Sequence, residues 1–85
     1  MKALKQFVES RNKFNSIFGI KALDITVAAD RQRLAEIIDS AISPENLTCD
    51  GELPRSEINR RYRELMAVAK ELKALDSTVT FYEVA

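Results

Sequence analysis

The densest run of oxygen donors in the chain lies between Asn46 and Glu57, in NLTCDGELPRSE. Asn46, Thr48, Asp50, Glu52 and Glu57 supply the amide, hydroxyl and carboxylate oxygens that a hard divalent cation takes as ligands. Gly51, at the centre of the run, permits the sharp turn needed to fold such groups around one point. A second cluster, RSEINRRYRE, begins at Arg55. Its Arg55, Arg60, Arg61 and Arg63, with Asn59 and Tyr62, can meet phosphates or an acidic protein surface. Beyond these two stretches the composition removes most chemistry. With no histidine and no tryptophan, there is no His general base, no Ser-His or Cys-His pair and no usual zinc or iron site. The two glycines form neither a P-loop nor a GxGxxG turn. Carboxylates, lysines and tyrosines remain, but no grouping of them points to catalysis, so the expectation is a protein that is not an enzyme and needs no cofactor. Cys49 is an incidental thiol, because its acidic neighbours do not favour a thiolate.

Residues 46–57 resemble an EF-hand calcium loop. In that family the first, third and fifth positions carry oxygen ligands, the sixth is glycine, the seventh offers a carbonyl and the twelfth is a bidentate Glu. The corresponding residues are Asn46, Thr48, Asp50, Gly51, Glu52 and Glu57, with Leu53 at the usual apolar eighth place. The resemblance implies a calcium site with Asp50 and Glu57 as its charged ligands. It covers one loop, and the departures are specific. Asn46 brings no charge, Thr48 replaces a carboxylate, Pro54 occupies the ninth place, and no second loop exists to pair with the first. A turn followed by a helix start accounts for the same residues. Asp50-Gly51 makes the turn, Pro54 pre-sets the first helical turn, Ser56 caps it, Glu57 faces the positive helix end and Leu53 plugs the core. This second account is the expectation adopted.

The arginine cluster also has a solvated-face reading. Glu57 with Arg61, and Arg60 with Glu64, are helical neighbours that neutralise each other in part. About a dozen residues separate the helices around residues 43–54, too many for a helix-turn-helix. The chain carries 13 basic and 13 acidic residues, which argues against nucleic acid as the main partner. The charge is segmented, with basic residues near the N-terminus, acidic ones at 43–57 and basic ones after. That layout suits docking on another protein or on a second copy. The expected partner is therefore a protein, with a homo-oligomer among the options. Its candidate contacts are Arg60, Arg61 and Arg63, with Phe81 and Tyr82 in the tail. Nucleic-acid binding through the basic helix 55–63 is the alternative.

The elements that must hold these residues follow from periodicity. At 85 residues the chain reads as one domain, 1–85, with a small core that buries ~60–65% of its unfolded surface. A helix over 2–18 carries the stripe Leu4, Phe7, Val8, Phe14, Ile17 and Phe18, interrupted by Arg11, and Gly19 ends it. A helix over 26–42 presents Leu34, Ile37, Ile38, Ala41 and Ile42. Pro44 stops it or opens a single turn. A helix over 55–75 has Ile58, Tyr62, Leu65, Met66, Ala69 and Leu72 inward, widened by Ala67, Val68, Ala74 and Leu75. Residues 22–27 alternate like a strand, and the tail after Leu75 has strand composition. The expected fold is an all-α three-helix bundle with an extended, loosely packed C-terminal tail. The alternative is α+β, with 22–27 and 78–84 paired as a small ribbon. One cysteine, no spanning apolar run and a charged N-terminus unlike a signal peptide lead to a cytoplasmic expectation, away from membranes. The function expected is that of a small intracellular accessory or regulatory protein, of the kind carried by phages and prophages, acting through protein–protein interaction.

Overall fold

A computed structural model of the protein describes residues 2–48 and 51–84. It places α1 at Lys2–Ile17, α2 at Ala28–Ile42, α3 at Pro44–Leu47 and α4 at Arg55–Leu75. No strand occurs among the described residues, so the all-α expectation holds and the ribbon of 22–27 with 78–84 is corrected. The longest helix, α4, is the platform. Both α1 and α2 pack on it, and α3 joins α2 to it. No Cα of α1 lies within 8 Å of a Cα of α2. The two helices thus sit apart on α4 with an open wedge of space between them.

The core follows from that layout. Leu4, Leu34, Ile38 and Leu72 are the largest fully buried side chains, and Leu23, Ala35, Val68, Ala69 and Val79 close around them. Burying a leucine of this kind contributes ~1.5–3 kcal/mol. From α2 the inward residues Leu34, Ala35, Ile38 and Ile42 recur at helical spacing, and from α4 Val68, Ala69 and Leu72 do the same. The first half of α4 is less buried than its apolar arc suggested: Ile58, Leu65 and Met66 are half-buried and Tyr62 is exposed.

Residues 22–27 are not a strand because side chains hold them. Asn12 donates its amide to the Leu23 carbonyl at 3.0 Å and accepts the Leu23 amide at 2.7 Å. Asp24 accepts the amide and hydroxyl of Thr26 at 2.9 and 2.6 Å. That local turn uses Thr26, so α2 starts at Ala28, two residues later than its periodicity indicated. Arg31 Nη1 donates to the Ile25 carbonyl at 3.0 Å and ties the segment to α2.

The tail is anchored, contrary to the loosely packed terminus expected. Val79 is buried. Gln32 accepts the Thr80 amide at 2.9 Å and donates to its carbonyl at 3.2 Å. The buried carboxylate of Asp39 accepts the amides of Tyr82 and Glu83 at 2.8 and 3.1 Å. Gln32 and Asp39 are seven residues apart on α2 and so share a face. Lys73 Nζ reaches the Val79 carbonyl at 2.6 Å from α4. Side chains of two helices therefore satisfy backbone groups that a sheet would otherwise have paired.

Candidate functional site

The oxygen-rich stretch is built partly as helix. Asn46 lies in the single turn α3, where its amide donates to the Ser40 carbonyl at 2.7 Å. Thr48 is the C-terminal cap of that turn and donates its hydroxyl to the Pro44 carbonyl at 2.8 Å. Asp50 lies outside the described residues, and with it the pairing of Asp50 and Glu57 as cation ligands. Glu57 gives both carboxylate oxygens to Arg60: Arg60 Nε reaches Oε2 at 3.1 Å, and Nη2 bonds Oε1. The hydrogen bond from Arg60 holds the Glu57 carboxyl below its ordinary range. No group of three or more acidic, cysteine or histidine side chains arranged to hold a metal occurs among the described residues. The helix starts at Arg55 with Pro54 before it, so Ser56 falls inside α4 and is not its cap.

The arginines of α4 are unequal. Arg60 is bracketed, with Nη1 2.8 Å from Glu64 Oε1 and the rest of its fork on Glu57. Hydrogen bonding to Glu57 raises its already high pKa further. Arg61 Nε stands 4.0 Å from Glu57 Oε1. Arg63 is exposed and forms no ion pair among the described residues. Acids interleave this face, so it presents no continuous positive strip to a phosphate backbone. The two tail candidates also differ. Phe81 is half-buried and shares a cleft with Met66, Ala69 and Lys73 on the second half of α4. Tyr82 is 82% exposed while its amide is held by Asp39.

The most distinctive surface lies elsewhere, at the end of α1. Phe14, Ile17, Phe18 and Ile20 are 46%, 77%, 64% and 51% exposed. The periodicity had placed the first three of them in the core. The Phe14 and Phe18 rings pack at 4.8 Å between centroids, and the Arg11 guanidinium lies 4.9 Å from the Phe14 centroid. Helix register explains the exposure. Leu4, Val8, Asn12 and Asn15 lie along one line of the helix at spacings of four, four and three. That line faces inward, with Leu4 and Asn15 buried and Asn12 clasping Leu23. Phe7, Arg11, Phe14 and Phe18 form a second line roughly a quarter-turn away. The signal in the sequence was the pair of asparagines continuing the Leu4–Val8 line, which reads as solvated face unless the chain returns to use them.

The helix end itself is well formed. Gly19 has φ 68°, its amide donates to the Ser16 carbonyl at 3.3 Å, and the Ile20 amide reaches the Asn15 carbonyl at 2.8 Å. This is a Schellman closure, which presents Phe18 and Ile20 on either side of the glycine. Next to the ridge, the wedge between α1 and α2 leaves a cleft of about 410 Å³ lined by Phe7, Ser10, Arg11, Phe14, Ile37 and Ser40. A second cleft of about 560 Å³ lies between α1 and α4, with Phe7, Leu47, Leu65 and Val68 in its walls. Comparison of the chain with protein-family models, with curated proteins and with solved structures finds no match.

Proposed function

We propose that this protein is a non-enzymatic binding module that acts by docking on another protein through the end of α1. The observation that carries the reading is the exposure of four large apolar residues within one short stretch, Phe14, Ile17, Phe18 and Ile20, two of whose rings pack together. Contiguous apolar surface is costly to leave in water, and on small proteins it marks interaction sites. Aromatic anchors beside an arginine are the composition of interface hot spots. Arg61 and Arg63 serve as polar contacts at most, since Glu57 and Glu64 already occupy Arg60. A single cysteine fits a reducing compartment, and no helix among the described residues is long and apolar enough to cross a membrane.

The test is affinity capture from the native host by the wild type and by Ile17→Asp/Phe18→Asp. A protein recovered by the wild type and lost from the double variant supports the reading. A partner retained by the double variant but lost on replacing Arg60, Arg61 and Arg63 with alanine moves the site to α4. Capture dominated by DNA or RNA, falling steeply with salt, overturns the protein-binding reading.

A further inference from the structure

Resting on that reading, we infer that the partner contributes an acidic amphipathic helix, seated on the Phe14–Ile20 ridge with a carboxylate entering the α1–α2 cleft to meet Arg11. Three observations converge on this chemistry. The first is concavity: α1 and α2 both pack on α4 without a Cα of one coming within 8 Å of the other, and a recess of about 410 Å³ remains between them, enough for a partner side chain to enter. The second is Arg11. It forms no hydrogen bond or ion pair among the described residues, and its buried Nε has no partner. The enclosed Nε is out of reach from outside, so a docking carboxylate would meet the terminal nitrogens of the fork. The guanidinium fork in the wall of the recess matches the two oxygens of a carboxylate. The third is charge. Three cations, Arg11, Lys13 and Lys21, stand beside the ridge residues in the chain against two acids, Glu9 one turn from Lys13 and Asp24 close to Lys21, so the rim keeps a net positive charge.

The same observations separate the occupants. A second copy docking ridge to ridge would set Arg11, Lys13 and Lys21 against an equally basic rim, and like charges at an interface disfavour that pairing. A lipid surface is planar and does not fill a recess between helices. An amphipathic helix lays an apolar stripe on a groove and places its polar face at the rim, where this rim requires acids.

The experiment uses two fluorescein-labelled synthetic helical peptides with one shared Leu/Phe stripe, one carrying Asp and Glu on its polar face and the other Lys. Fluorescence anisotropy should show saturable binding of the acidic peptide, with the lysine peptide at least about tenfold weaker. Amide shifts should concentrate at residues 10–21 and 37–41. Arg11→Gln should weaken the acidic peptide about tenfold, the worth of one charge-assisted hydrogen bond. Phe18→Asp should abolish binding; since Phe18 is exposed, circular dichroism should show this variant folded. Equal affinity for both peptides, shifts centred elsewhere, or indifference of the acidic peptide to Arg11→Gln overturns the inference. So does a ridge-dependent dimer in sedimentation, or binding to phosphatidylglycerol vesicles that Phe18→Asp removes. A partner captured through Ile17 and Phe18 when neither peptide binds overturns the acidic-helix assignment and leaves the protein-binding reading intact. Failure of capture through the ridge removes the reading itself.

Discussion

Asn12 and Asp76 each fasten an irregular segment to a helix with one side chain. Asn12 satisfies both backbone groups of Leu23, a residue that belongs to the core. Asn12→Ala should therefore destabilise the fold by about 1–3 kcal/mol, the cost of leaving such groups unpaired. Urea unfolding measures this, and a change within error would show that water takes over the bonds. Asp76 accepts the hydroxyl and amide of Thr78 and receives Arg31 Nε at 2.6 Å. The Thr78 hydrogen bond first, and Arg31 second, lower its carboxyl from 3.8 to about 2. A folded-state value below the unfolded one means its contribution to stability is complete above the unfolded value of 3.8 and disappears as pH falls through about 2. Asp24 and Glu57, also lowered, the one by the Thr26 hydroxyl and the other by Arg60, lose their contributions on the same acid side. Wild type should thus lose stability between about pH 4 and 2, and Asp76→Asn should be less stable at neutral pH with a shallower acid decline. Parallel acid profiles for the two proteins would remove Asp76 from this role.

Along α4, the two halves should respond differently to the same substitution. Leu72 is fully enclosed, so Leu72→Ala should cost ~2–5 kcal/mol. Leu65 is half-buried beside the open cleft toward α1. Its truncation should fall below that range, because part of its surface is already wet. Equal losses would mean that the first half of α4 is covered in solution. The tail is the second element with its own test. Asp39→Ala removes both acceptors of the Tyr82 and Glu83 amides. Those two amides should then exchange with solvent faster, while protection in α1 is unchanged. Unchanged exchange at Tyr82 would show that Val79 and Phe81 hold the tail by packing alone.

For the whole molecule, the packing on α4 sets the buried Leu4 and the exposed apolar ridge at opposite ends of α1. Leu4 anchors the first turn in the core, and the last turn carries the exposed ridge. Ile17→Asp/Phe18→Asp should accordingly leave far-ultraviolet circular dichroism mainly helical and lower the thermal midpoint only modestly, since no fully buried side chain is lost while two carboxylates at the negative end of α1 cost about 0.3–1 kcal/mol each. A large drop in midpoint would show that the ridge is packed in solution and is not a free surface.

The helices were legible in the sequence because each carries its own local instruction. Alternating apolar and charged residues at 3.6-residue spacing, helix formers through 28–42 and 55–75, Gly19 at one helix end and Pro54 before another all act within a few residues. Absent histidines and scarce glycines bounded the chemistry in the same direct way. Which stripe of α1 turned inward was not legible, because Leu4–Val8–Asn12–Asn15 and Phe7–Arg11–Phe14–Phe18 are both regular lines on one helix. The choice came from residues 21–25 returning to bind Asn12 and Asn15, a contact between segments that periodicity does not encode. Likewise the β-like composition of 22–27 and 78–84 describes side chains that tolerate extended backbone, yet each segment is irregular, with turns at 25–26 and 77–78 and bends at 27 and 82–83. Their hydrogen-bond partners turned out to be Asn12, Gln32, Asp39 and Lys73, placed by the packing of three helices. The exposed apolar ridge, and an Arg11 that has no ion pair among the described residues and lies against Phe14, are consequences of that packing, since one face of α1 is buried on a small platform and the other is not.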